Sequence, residues 1–144
     1  MIVPDLNLLV YAYNDDAPWH AEAKRWWESC LSDSRPVGIP WVVVLGFVRL
    51  MSNRRVLLDP MPAAEALHHC RSWLERPNAR IILPGPSHLD LLGHLLDAAS
   101  AGADLVTDAH LATLAIEHQA ELHSNDADFA RFPGLSWRNP LMSC

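Results

Sequence analysis

Lysine is nearly missing from this chain: ten of its eleven basic residues are arginine, and Lys24 is the exception. Basic charge is also in deficit. Seventeen acids outweigh the eleven bases, for a formal net charge of −6, and an acidic chain is a poor non-specific binder of nucleic acid. Cysteine is sparse. Cys30, Cys70 and Cys144 are odd in number and far apart. They suit neither a disulfide framework nor a zinc knuckle, and a reducing, cytoplasmic setting is expected. No apolar run reaches the roughly 18 residues of a membrane-spanning helix. The N-terminus lacks the basic-then-apolar pattern of a secretory signal. Catalytic signatures are missing too. There is no His-Glu-x-x-His, no paired Cys-x-x-Cys and no Gly-x-Ser-x-Gly. Pro84-Gly85-Pro86 reads as a turn, not a phosphate-cradling loop, and the adjacent His68, His69 and Cys70 do not converge on one metal.

What is present is ample core material. Half of the 144 residues are hydrophobic and six are tryptophan, which suits one domain over 1–144 with a substantial buried core. A short strand over residues 1–4 leads into a helix over 6–14. Asp16 and Pro18 mark the start of a second helix, with Trp19, Ala23, Trp26 and Cys30 as its buried stripe. A strand around Val37 to Ile39 meets Pro40, which opens a helix from Trp41 to Ser52. Asp59, Pro60 and Pro62 restart the chain into a helix up to about Arg76. Ala79 to Leu83 reads as a strand. Ser87 and Asp90 resemble a capping box opening a helix that runs to Gly102. Thr107 and Asp108 open another, ending near His118, and Ala120–Ser124 and Leu135–Arg138 are the last strands. Strands alternating with helices predict an α/β fold, a small parallel sheet flanked by helices on both faces.

Three aspartates stand where strands or loops hand over to helices: Asp5, Asp108 and Asp126. In an open α/β sheet those handovers at the carboxyl ends of strands are where sites form. Singly, Asp5 and Asp108 are good helix caps and Asp126 and Asp128 good turn formers. Jointly they suggest more. Asp5 lies in an apolar segment, where a bare charge is costly, and clustered carboxylates repel one another. A divalent cation removes that conflict, and hard oxygen ligands suit Mg²⁺ or Mn²⁺. Asn7, Thr107, Ser124 and Asn125 lie beside these acids and are placed to orient them. Arg49, Arg54 and Arg55 cluster, as do Arg71, Arg76 and Arg80. Each reads as a phosphate contact or as an ordinary solvated helix face. His20, near Asp15 and Asp16, reads as a packing or surface residue.

The motifs in order resemble the PIN-domain ribonucleases, specifically the VapC-type toxins of toxin–antitoxin pairs. Val3-Pro-Asp-Leu-Asn-Leu-Leu-Val-Tyr-Ala is similar to the first acidic motif of that family. Val106-Thr-Asp-Ala-His-Leu-Ala-Thr-Leu-Ala is similar to the third and Ser124-Asn-Asp-Ala-Asp-Phe to the fourth. The ending Phe129-Ala-Arg-Phe-Pro-Gly-Leu-Ser-Trp resembles the mycobacterial branch. The resemblance implies metal-dependent cleavage of single-stranded regions in structured RNAs such as tRNA or rRNA. It implies that Asp5, Asp108 and Asp126 hold Mg²⁺ or Mn²⁺, with Asp128 as an outer-shell helper. A metal there lowers the pKa of a bound water and shields the charge that builds on the phosphate. The family also implies a homodimer and a small VapB-type antitoxin from the same operon, whose tail lies over the site.

One position departs from the pattern. Where the family commonly has a glutamate in the third helix, this chain has Gly46, within Val44-Leu-Gly-Phe-Val-Arg-Leu. Small residues also occur there in the mycobacterial branch. Three remaining acids favour one metal. Gly46 is expected to admit a backbone, a metal water or the substrate, Arg49 to touch a phosphate or an acid, and Asp104 is a candidate substitute carboxylate. Two other readings stand beside this one. Gly46 would mark a decayed site in a protein that only grips RNA or its antitoxin. Alternatively, Asp5 would be the nucleophile of a phosphotransferase, although such sites need a late lysine and Lys24 lies early.

Overall fold

The computed structural model describes residues 1–142, so the expectation placed on Cys144 lies outside the described residues. Among the described residues five strands form one sheet: β1 (Ile2–Pro4), β2 (Val37–Pro40), β3 (Ala79–Ile82), β4 (Glu121–His123) and β5 (Ser136–Arg138). All pairings are parallel and the order is β3-β2-β1-β4-β5. The chain works outward from β1 to β3, then returns to the other side of β1 for β4 and β5. Its direction therefore reverses between β1 and β4. The crevice at the carboxyl ends of those two strands is the favoured place for a site.

Six α-helices connect the strands among the described residues: α1 (Leu6–Tyr13), α2 (His20–Ser32), α3 (Trp41–Met51), α4 (Ala63–Leu74), α5 (His88–Ala98) and α6 (Val106–Glu117). The alternating pattern read from the sequence holds. Helices α1 to α4 share an aromatic core. Tyr13 meets Phe47 edge-on at 5.3 Å between centroids, Phe47 meets Trp73 at 4.8 Å, and Trp73 meets Trp27 at 5.4 Å. Trp73 Nε1 donates to the Tyr13 hydroxyl at 2.8 Å, so the buried indole keeps its polar atom satisfied. Asn78 ties α2 to the start of β3 by donating to the carbonyls of Cys30 and Arg35, both at 2.9 Å.

Several local expectations change. The tryptophan inside α2 is Trp27, not Trp26: Ala23, Trp27 and Cys30 are buried at helical spacing, while Trp26 is half-buried and Trp19 exposed. The helix starts at His20, whose Nδ1 bonds the Tyr11 carbonyl at 2.9 Å and whose Nε2 lies 3.2 Å from Asp15. That histidine joins the end of α1 to α2. The Ser87 capping box does not form, since Ser87 makes no side-chain cap bond. Glu117 anchors the start of α5 instead, accepting from Gly85 N–H at 2.8 Å and bonding His88 Nδ1 at 2.6 Å. That helix ends at Ala98, short of Gly102, where the chain turns through Ser100 at φ 49°. Helix α6 begins one residue before Thr107, behind a 3₁₀ turn over Ala103–Leu105.

The Tyr13–Trp73 pair predicts a graded stability response. Trp73 is fully buried, and Trp73→Ala should cost about 3–5 kcal/mol in urea unfolding. Tyr13→Phe, which removes only the acceptor, should cost about 1–3 kcal/mol. Equal losses would contradict the packing described.

Candidate active site

Asp5 follows directly on β1. Its amide donates to the His123 carbonyl of β4 at 2.9 Å, so the sheet itself fixes its position. Its carboxylate caps α1 by accepting from Leu6 N–H at 2.7 Å, the capping role read from the sequence. The second oxygen accepts from the Ser124 hydroxyl at 2.7 Å. Asp5 is only 6% exposed. Burial pushes its pKa above the ordinary carboxylate value, against the pull of the Ser124 and Leu6 hydrogen bonds, and the charge of Asp126 adds to the rise.

Ser124 is the hub beneath the site. It is fully buried. Besides holding Asp5, its Oγ accepts from Asp126 N–H at 2.9 Å. Its own amide donates to the Arg138 carbonyl at 3.0 Å, and its carbonyl accepts from Trp137 Nε1 at 3.1 Å. One residue thus connects the acids after β1 and β4 to β5. Asp126 caps the 3₁₀ segment Ala127–Arg131 by accepting from Asp128 N–H at 2.9 Å. Asn125 turns away to pair with Asn139 at 2.9 Å.

Asp108 comes from the first turn of α6 and faces Asp5 across a cavity of about 150 Å³. Asn7, Arg49 and Thr107 line the same cavity. Asp108 is pushed up to about 6, first by burial and then by the charges of Asp5, Asp126, Asp128 and Asp104. The acids gathered from residues 5, 108 and 126 therefore share one electrostatic field. Asp128 and Asp104 are exposed and act on it only through charge. Arg49 lies at the cavity but forms no ion pair with an acid among the described residues. Among the described residues no three His, Cys, Asp or Glu side chains are drawn together tightly enough to grip an ion as they stand. The hydrogen bonds above explain why: Asp5 and Asp126 are each turned to local donors, and like charges hold carboxylates apart. The donor set itself, carboxylate oxygens at a negative cavity, is that of a hard divalent cation.

Gly46 has a cause other than those expected. A Cβ there would stand 2.5 Å from Cδ2 of Leu6. The atoms nearest that space belong to the side chain next to Asp5, not to a neighbouring backbone. No local pattern signals this contact, because Leu6 and Gly46 lie on different helices.

Two outcomes follow. Asp108 holds its proton more tightly folded than unfolded. Its stabilising contribution is therefore full below 3.8 and lost as pH rises through about 6. Asp108→Asn should raise the Tm in chelator on the order of 3 °C at pH 7.5, with the gain vanishing near pH 4; a gain that grows toward low pH would contradict the field described. In a double-mutant cycle, Gly46→Ala should be more favourable by about 1 kcal/mol or more when Leu6 is Ala than when it is Leu. Strict additivity would remove Leu6 as the cause.

The PIN domain family model matches residues 2–135. Ribonuclease VapC33 of Mycobacterium tuberculosis is 42% identical over 141 residues, covering 98% of this chain and 99% of the relative. Ribonuclease VapC37 of the same species is 40% identical over 140 residues, covering 97% of each. Solved structures share the fold. A chain of VapBC2 from Rickettsia felis, bound to a promoter DNA fragment, has a TM-score of 0.68 at 20% identity over 96% of this chain and 98% of that one. VapC20 of Mycobacterium tuberculosis, a sarcin–ricin-loop-cleaving toxin, has a TM-score of 0.62 at 19% identity over 90% of this chain and 93% of that one. With the α/β fold, the order of the acidic motifs and these full-length likenesses agreeing, the chain belongs to the PIN domain family and, within it, to the VapC ribonucleases.

Proposed function

We propose that residues 1–144 form one PIN domain that acts as a toxin endoribonuclease, cutting single-stranded regions of RNA such as those in tRNA or rRNA. Asp5, Asp108 and Asp126 hold Mg²⁺ or Mn²⁺ in this reading. The observation that carries it is the buried Asp5 carboxylate, in one field with Asp108 and Asp126 and paired with no cationic side chain among the described residues. Such an arrangement is costly for a protein that only needs to fold. A bound divalent cation would offset the repulsion, lower the pKa of a bound water and shield the phosphate charge.

The chain's own residues supply position and charge. Ser124 and the Leu6 amide fix both oxygens of Asp5 before substrate arrives. Arg49 at the cavity is placed to take a phosphate oxygen, as arginine does bidentately. Asn7 and Thr107 offer hydrogen bonds at the same cavity, and Asp128 and Asp104 deepen its negative field. A cognate VapB-type antitoxin is the expected silencing partner, consistent with toxin–antitoxin complexes among the similar structures. A homodimer is also part of this reading.

Purified protein free of antitoxin should cut total cellular RNA into discrete fragments with Mg²⁺ or Mn²⁺ and not with chelator. Asp5→Asn should lower the rate by about 100-fold or more, and Ser124→Ala, which strips a support from Asp5, by about 10–100-fold. Unchanged cutting by Asp5→Asn, or cutting in chelator, would remove the metal-dependent reading. No cutting by folded wild type would favour a non-catalytic gripping role.

A further inference from the structure

A cleft of about 490 Å³ opens between α2 and the sheet face of β1, β4 and β5. Three of the eleven bases line it: Arg25 of α2, Arg35 before β2 and Arg138 of β5. Arg138 is the register partner of His123, so both side chains stand on the same sheet face. Trp26 forms part of the other wall. Its Nε1 donates to His123 Nδ1 at 3.0 Å, which leaves His123 Nε2 to donate to Glu121 Oε1 at 2.7 Å. The same carboxylate oxygen meets Arg35 at 3.5 Å.

The acids of the cleft are largely engaged. Glu121 is taken up by His123 and Arg35. Asp33 is turned to its neighbour's amide, accepting from Ser34 N–H at 2.7 Å. Glu22 remains at the rim. Arg25 and Arg138 are exposed and have no carboxylate within ion-pair distance among the described residues. Two free guanidiniums beside a half-buried indole held by a hydrogen bond suit a phosphate with an aromatic base attached.

The cleft adjoins the acid cluster through the backbone. Ile2 lines it and Asp5 is three residues further along, about 10 Å at strand rise. His123 lines it, and the next residue, Ser124, bonds Asp5. We infer that this cleft is a second RNA contact, in which Arg25 and Arg138 hold backbone phosphates and Trp26 offers a face to a base of the strand that enters the acidic cavity. The inference rests on the RNA-cleaving reading above. It resolves a difficulty of that reading: a chain of net charge −6 with an acidic cavity must grip a polyanion somewhere close by.

The test is fluorescence anisotropy in EDTA with a labelled mixed-sequence single-stranded RNA of about 20 nucleotides, titrated over roughly 50–300 mM KCl. Arg25→Gln/Arg138→Gln should weaken binding about tenfold or more and flatten the log Kd against log salt slope by about 1.4. Both residues are exposed, so the Tm should hold. Wild-type binding with an unchanged slope in the double variant overturns the second contact and leaves the RNA-cleaving reading standing. No wild-type binding overturns the second contact and leaves the RNA-cleaving reading to its own test with metal. Equal affinity for AMP and the oligonucleotide overturns it in favour of a mononucleotide site. Displacement of the RNA by poly-glutamate at lower concentration than by unlabelled RNA overturns it in favour of an acidic protein partner.

Discussion

Asp5 places a carboxylate where water hardly reaches, at the seam between two strands that meet from opposite ends of the chain. Much of the architecture serves to hold it there. Its amide belongs to the β1–β4 ladder, one oxygen caps α1, and the other is held by Ser124. Because the amide and both carboxylate oxygens of Asp5 have partners, its burial is tolerable; because its neighbours Asp108 and Asp126 are also acids, its charge is not neutralised. The fold thus retains an electrostatic conflict in a place where packing could readily have removed it. Conflicts of that kind persist at sites that use them.

The rest of the molecule divides the work around this point. Helices α1 to α4 gain rigidity from edge-on aromatic contacts among Tyr13, Phe47, Trp73 and Trp27. Helices α5 and α6 are joined by a polar chain, Glu117 to His88 to His110, with links of 2.6 and 2.8 Å. The acids of the site draw on both groups, Asp5 from the first and Asp108 from the second. Leu6 stands beside Asp5 and occupies the space above Gly46. An aliphatic side chain thus lines the cavity directly beside the buried carboxylate.

Much of this was legible in the sequence. Strand and helix alternation, the parallel sheet and the positions of Asp5, Asp108 and Asp126 follow from local patterns: apolar runs, proline joints and acids at element boundaries. What stayed hidden depends on pairs of residues distant in sequence. The tryptophans Trp26 and Trp27 are neighbours, so either fits a helical stripe, and only the packing of Trp73 and the acceptor on His123 decide between them. Ser87 and Asp90 form a sound capping pattern, yet Glu117, 29 residues beyond His88, supplies the stronger anchor. The neighbour of Gly46, Leu6, lies on another helix, out of reach of any local pattern. The cleft of Arg25 and Arg138 joins residues at opposite ends of the chain, and no local pattern announces it.

The bond between Ser124 and Asp5 spans 119 residues. During synthesis the chain must extend past residue 124 before that hydroxyl can reach its carboxylate and β4 can seat against β1. A partly made chain consequently carries the acids without their geometry. The buried carboxylate of Asp5 therefore gains its second support only when the fourth strand has been made and paired with the first.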